Sequence, residues 1–246
     1  MKHLLRLLVP LLTAAAIGNS SPVRAQAPID LLLVLSSDVS RSVDERKFQL
    51  QRDGYAAAIT DPRVVNALGA GLNGQIAVSF VEWSGASSVK LVVDWSLIKD
   101  QHTSKIFADR LIEAPRSFAD RTSISAGIDF AMAQLARAPY QSRRRTIDVS
   151  GDGTNNSGRD VRIARDEAVA QGVTINGLVI LTDQPTAWNP EHTNPPGGLP
   201  NYYRDNVIGG PGAFVLVAEN HFSFGQALIR KLIAEIAAAP FGPQLR

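Results

Sequence analysis

The chain has 246 residues, no cysteine, and 25 Lys and Arg against 23 Asp and Glu, so disulfides, thiolate metal centres and a lipid anchor on a cleaved cysteine are excluded. Lys2, Arg6 and Arg24 supply the basic excess; without them 22 basic residues face 23 acidic ones, and a net charge of −1 gives no electrostatic basis for nucleic-acid binding. The dense basic run Arg143-Arg144-Arg145 precedes an apolar strand and reads as a solvated strand entrance.

Residues 1–27 have the build of a secretory signal peptide: positive Lys2 and Arg6, an apolar run from Leu7 to Ile17, and an Ala25-Gln26-Ala27 cleavage pattern. Pro10 and the shortness of the run argue against a membrane span, which needs about 20 apolar residues. The expectation is secretion to the periplasm. Residues 28–246 carry no linker, repeat or low-complexity stretch and are expected to form a single domain.

In chain order, Leu31 to Leu35 are all apolar, as in a strand buried on both faces of a parallel sheet. A helix is expected over Val43 to Ile59, with Phe48, Tyr55 and Ile59 spaced for one buried stripe. IAVSFVEW (76–83) and VKLVVDW (89–95) flank the turn Ser84-Gly85-Ala86-Ser87 and read as a hairpin, which places one antiparallel strand at a sheet edge. Helices follow over 103–113 and Ser123–Arg137, a strand over RTIDVS (145–150), and a helix over Gly158–Gln171 that stops at Gly172. VTINGLVIL (173–181) and AFVLVA (213–218) are the last strands, and Phe222–Ala238 is a closing amphipathic helix. This alternation predicts an α/β fold: a doubly wound, mostly parallel six-stranded sheet with one antiparallel edge strand and helices on both faces.

Ligands of such sheets sit beyond the carboxyl ends of the strands, where the strand order reverses. Asp38, Ser40 and Ser42 lie there, after the first strand, and two other loops reach the same edge: DRTSIS (120–125) and SGDGTNNSG (150–158). Asp38, Ser40, Ser42, Thr122 and Asp152 form an all-oxygen set without His or Cys, suited to a hard divalent cation. Five side-chain oxygens leave an octahedral ion one position for water or an incoming ligand. Ordinary roles compete. Ser42-Val43-Asp44-Glu45 is a capping box, Thr122 or Ser123 suits an N-cap, and Asp152 between glycines suits a turn.

Asp38-x-Ser40-x-Ser42 after an apolar strand, the Thr122 loop and the Gly-Asp152-Gly loop resemble the metal-ion-dependent adhesion site of von Willebrand factor type A domains. VEWSG, RSFADRTSIS, IDVSGDGTNNSG and VIGGPGAFV are similar to a bacterial branch of that fold, the DUF1194 family. The resemblance implies a protein-binding domain that holds a divalent cation, Mg²⁺ first and Mn²⁺ or Ca²⁺ next, completed by an acidic side chain of a protein partner. One departure stands out: where the wider family has glycines around the threonine, this chain has Asp120, Arg121 and Ser125, which puts Thr122 in question as a direct ligand. Asp120 is free to pair with Arg121 or Arg116 instead.

Enzyme readings lack equipment. An aspartyl phosphatase needs a second acid two residues after the first, where this chain has Ser40. No G-x-S-x-G elbow flanks Ser36, Ser37 or Ser40, and Ser87-x-x-Lys90 sits in a hairpin instead of opening a helix. His102, His192 and His221 have no evident acid partner in sequence. An EF-hand starting at Asp152 fails at Ser157 and Ile163, and no dinucleotide fingerprint follows the first strand. The alternatives that remain are a cation-dependent hydrolase of phosphate or sulfate esters and a scaffold whose metal site has decayed. The irregular, proline-rich stretch from Thr182 to Gly212 is expected on the site face, where Trp188 and Tyr202 are candidate partner anchors; a solvated connection is the alternative.

Overall fold

The computed structural model describes residues 28–182 and 189–238; the signal-peptide expectation and Trp188 lie outside them. The chain order is β1 (Leu31–Asp38), α1 (Glu45–Thr60), α2 (Pro62–Ala67), β2 (Ile76–Trp83), β3 (Val89–Ile98), α3 (Gln101–Glu113) and α4 (Ile124–Ala136). It continues with β4 (Arg145–Gly151), α5 (Val161–Ala170), β5 (Thr174–Ile180), α6 (Pro190–Thr193), α7 (Leu199–Tyr202), β6 (Val215–Ala218) and α8 (Phe224–Ala237).

The six strands form one sheet in the order β3-β2-β1-β4-β5-β6. Only β3 runs antiparallel, at the edge, as the hairpin pattern predicts. Alternation along β1 feeds two cores: Leu31, Leu33 and Leu35 pack with α1, α3 and α8, while Leu32 and Val34 pack with α4 and α5. All eight β1 residues are buried, which explains why the run reads as continuously apolar until it meets the edge. Among the described residues no helix is long and apolar enough to cross a membrane.

Boundaries moved where local polar chemistry outcompeted periodicity. α1 starts at Glu45 because Asp44 caps it, accepting from Lys47 N–H at 2.9 Å; the expected cap, Ser42, is released for other contacts. α5 starts three residues after the expected Gly158, since Asp160 accepts from Arg162 N–H at 2.9 Å; it ends before Gly172, which takes φ 74° as a C′ glycine does. α8 begins at Phe224, because Asn220 Oδ1 turns the preceding backbone by accepting from Phe222 and Ser223. The arginine run is also more than a solvated entrance: Arg144 donates to the carbonyls of Glu235 and Ile236 at the end of α8, and Arg145 to that of Gln171 after α5.

The order reverses at β1: the chain moves outward through β2 and β3, then returns to place β4 on the other side. Ser37 pairs with Ser150 in that parallel register, so Asp38 and Gly151-Asp152 leave the sheet side by side.

Candidate functional site

Backbone hydrogen bonds stitch three loops and the β2–β3 turn together over the β1/β4 crevice. Arg41 N–H donates to the Asp120 carbonyl at 2.9 Å, Asn156 N–H to the Thr122 carbonyl at 2.9 Å, and Ser123 N–H to the Ser84 carbonyl at 2.6 Å. Asn156 and Asn155 add side-chain acceptors for Thr122 N–H and Ser125 N–H at 2.9 and 3.1 Å. Each loop thus satisfies the buried backbone of another, which holds their polar side chains in place without regular structure.

Asp38, Ser40, Ser42 and Asp152 come together, and all four are buried. Asp38 Oδ1 accepts from Ser40 N–H at 2.7 Å. The Ser40 and Ser42 hydroxyls lie 3.1 Å apart, and Ser42 donates to Asp152 Oδ1 at 2.6 Å across 110 residues of sequence. This contact replaces the capping role that sequence alone suggests for Ser42. Asp38 Oδ2 and Asp152 Oδ2 accept no hydrogen bond among the described residues. Burial, joined by the facing Asp152 charge, pushes the Asp38 carboxyl up to about 8. Both flanking glycines are needed for close approach: a Cβ at Gly151 would sit 2.7 Å from the Tyr203 hydroxyl and 3.1 Å from Asp38 Oδ2, and one at Gly153 would enter the His192 ring.

Thr122 is buried on the same cleft, but its hydroxyl lies 3.1 Å from His192 Nε2. With Ser42, Arg41, Asp120, Arg121, Asn156 and Asn189 these two line a cavity of about 520 Å³. Ser123, not Thr122, caps α4, accepting from Ala126 N–H at 3.3 Å. Arg116 does not pair with Asp120; its guanidinium donates to the carbonyls of Val43 at 2.6 Å and Val39 at 3.0 Å, bracing the Asp38 loop. Tyr202 is half-buried and its hydroxyl accepts from Asn155 N–H at 3.0 Å, so it supports the third loop.

Four further residues reach this site from outside the predicted oxygen set. His192 arrives on the short helix α6, and Thr154 N–H donates to its carbonyl at 2.9 Å; burial, opposed by the Asp152 charge, holds its imidazole below the usual range. Tyr203 brings a buried hydroxyl with no hydrogen bond among the described residues. Lys47 stands with Nζ 3.8 Å from Asp152 Oδ2. His221 is 6% exposed, its Nε2 has no partner among the described residues, and burial, opposed by Asp152, pushes it down to about 4.

No three His, Cys, Asp or Glu side chains gather as a metal cluster among the described residues. Two carboxylates with open oxygens, surrounded by hydroxyls, fit a hard cation that takes neutral oxygen ligands and poorly fit a soft one.

The family model described as "Protein of unknown function (DUF1194)" matches residues 28–240. The chain belongs to the DUF1194 family. No curated protein matches it. Among solved structures, this DUF1194 chain is similar to the pilus adhesin SpaC of Lactobacillus rhamnosus GG, at TM-score 0.61 and 14% identity over 86% of this chain and 30% of the adhesin. It is similar to a von Willebrand factor type A protein from Catenulispora acidiphila, at TM-score 0.58 and 12% identity over 85% and 43% of the two chains. Proximal thread matrix protein 1 of the mussel byssus, whose structure is described with a zinc-occupied MIDAS motif, matches at TM-score 0.53 and 17% identity over 86% and 48%. The chain spans less than half the length of each. The DUF1194 fold is therefore of the von Willebrand factor A type.

Proposed function

We propose that this chain is an exported, periplasmic von Willebrand A-type domain, formed by residues 28–246, that binds a protein partner through a divalent cation. One observation carries the reading: two fully buried carboxylates, Asp38 and Asp152, each present an oxygen that accepts no hydrogen bond among the described residues, at the switch point of the sheet. Asp38 and Asp152 supply the charge for the cation, Ser40 and Ser42 neutral oxygens, and Thr122 a further hydroxyl on the cleft wall. When bound, the cation, Mg²⁺ in the first instance and Mn²⁺ or Ca²⁺ as substitutes, supplies a Lewis-acidic centre for an acidic side chain of the partner. The chain's residues position and desolvate that centre. Asn155 and Asn156 fix the loops, and the cavity lined by Arg41 and Arg121 gives an incoming carboxylate a basic approach. Tyr202 and Trp188 belong to the partner-facing rim in this reading. A cation site in a mussel protein of the same fold supports it.

Calorimetry with Mg²⁺, Mn²⁺ and Ca²⁺ on wild type and Asp38→Ala tests the site. Uptake by wild type and its loss in the variant are expected; a captured envelope partner that binds equally well in EDTA overturns the cation's role. His192 is the one observation favouring an ester hydrolase, because a neutral imidazole on the cleft is equipped as a base. Turnover of chromogenic phosphate or sulfate esters that disappears in both His192→Ala and Asp38→Ala would replace the binding reading.

A further inference from the structure

Lys47 sits in the first turn of α1, where the helix dipole disfavours a cation. Its side chain turns back along the Cα–Cβ tilt toward the helix start. There Nζ donates to the Ser42 carbonyl at 2.6 Å and stands 3.8 Å from the open oxygen of Asp152. On the other side of the loop Arg116 braces the carbonyls of Val39 and Val43, and its charge acts on Asp38. Each carboxylate of the site therefore has a basic side chain of the same chain beside it. With both acids ionised, the chain's own charges at the site cancel, and a divalent cation would add two positive charges with no internal counterpart.

We infer that Lys47 is an internal competitor for the cation, which keeps ion affinity low and makes ion retention depend on an external carboxylate. The inference rests on the cation-dependent reading above and adds its regulation. The competing ammonium has somewhere to go. A cavity of about 390 Å³ is lined by Lys47 itself together with Asp44, Arg46, Asn220 and His221, and the Asp44 carboxylate on its wall is there to receive the ammonium. Displacing Lys47 into that cavity opens Asp152 Oδ2 to the cation. Because binding linkage is reciprocal, the external carboxylate and the cation then strengthen each other by the same factor.

The test is calorimetric titration of Mn²⁺ into the purified full chain, with and without acetate as the external carboxylate, for wild type, Lys47→Met and Asp38→Ala. Lys47→Met keeps the aliphatic stem and removes the charge; Lys47→Gln checks that any effect follows charge and not packing. In both Lys47 variants Mn²⁺ affinity without acetate is expected to rise between about tenfold and a hundredfold, and the gain from adding acetate to shrink by a similar factor. If the Lys47 variants bind Mn²⁺ as weakly as wild type, or more weakly, while Asp38→Ala binds none, the competitor role is overturned and the cation site stands. If neither wild type nor the Lys47 variants bind Mn²⁺, both the inference and the cation-dependent reading fall.

Discussion

Two places in this fold combine two acids with one lysine, and they are built to opposite ends. In the interior, Lys231 of α8 lies 2.7 Å from Asp148 Oδ1 and 2.5 Å from Glu235 Oε1, with all three side chains at most 1% exposed. Asn176 adds a hydrogen bond to Glu235 at 2.8 Å, and Phe214 lies under the ammonium. At the rim, Lys47 is 26% exposed and keeps 3.8 Å from Asp152, and both Asp38 and Asp152 retain an open oxygen. In the interior the lysine touches both acids directly and ties β4 to α8, although Asp148 Oδ2 and Glu235 Oε2 also accept no hydrogen bond among the described residues. At the rim the charge is opposed at a distance, which leaves the carboxylates available to a ligand.

The contrast can be broken by substitution. Lys231→Met strands two buried carboxylates and should cost about 3–5 kcal/mol in chemical denaturation, whereas Lys47→Met, at a partly solvated position, should cost less than about 1 kcal/mol. Equal losses would erase the distinction between a structural trio and an open site.

A smaller effect is expected from Asp38→Asn, which removes the repulsion with Asp152. Without divalent ions it should raise stability at pH 8 above that of wild type, and it should abolish any rise in melting temperature on adding Mn²⁺. A loss of stability in the ion-free variant would mean that Asp38 is a packing residue.

The pH dependence sharpens the comparison further. Burial pushes Asp38 up to about 8 and, with help from Glu235, pushes Asp148 up to about 7. Raised acids hold protons in the folded state that the unfolded chain releases near pH 4. Their contribution is therefore complete below about pH 4 and is lost as pH rises through about 7 and 8. Ion-free stability should fall between about pH 4 and 8, and Asp38→Asn should halve the slope between about pH 4 and 7 and remove it between about 7 and 8. A flat profile between pH 5 and 8 would contradict both assignments.

A local effect belongs to Tyr202→Phe, which leaves Asn155 N–H without its acceptor and should cost about 0.5–1.5 kcal/mol. If Tyr202 serves only the loop, Mn²⁺ affinity should change with loop order while the rim keeps its partner; loss of partner capture with unchanged stability would instead make it a direct anchor.

Much of the scaffold is legible in the residues. The apolar run of β1, the hairpin turn at Ser84-Gly85 and the alternation of strand and helix lead to the observed sheet, because burial on both faces and turn chemistry are local properties. The oxygen set was legible as residue types in three loops. The outcome of its competition with capping was not, because Ser42 and Asp44 are both good N-caps and only the contact with Asp152 separates them. Lys47 left a faint trace as a basic residue in a first turn; His192, His221 and Tyr203 left none, since they reach the site from short or irregular segments whose course periodicity does not report.

By itself the sequence determined which segments are buried, how they alternate, and that short oxygen side chains leave the strands at one edge. Hydrophobic period and turn preference act over a few residues, so a single chain suffices to read them. Only the tertiary structure decided that Asp38 and Asp152 face each other with open oxygens, that Lys47 opposes them at arm's length while Lys231 closes on its own pair, and that His221 lies buried beside a cavity. Those outcomes depend on desolvation and charge between residues far apart in the chain, and such energies exist only once the sheet has brought them together.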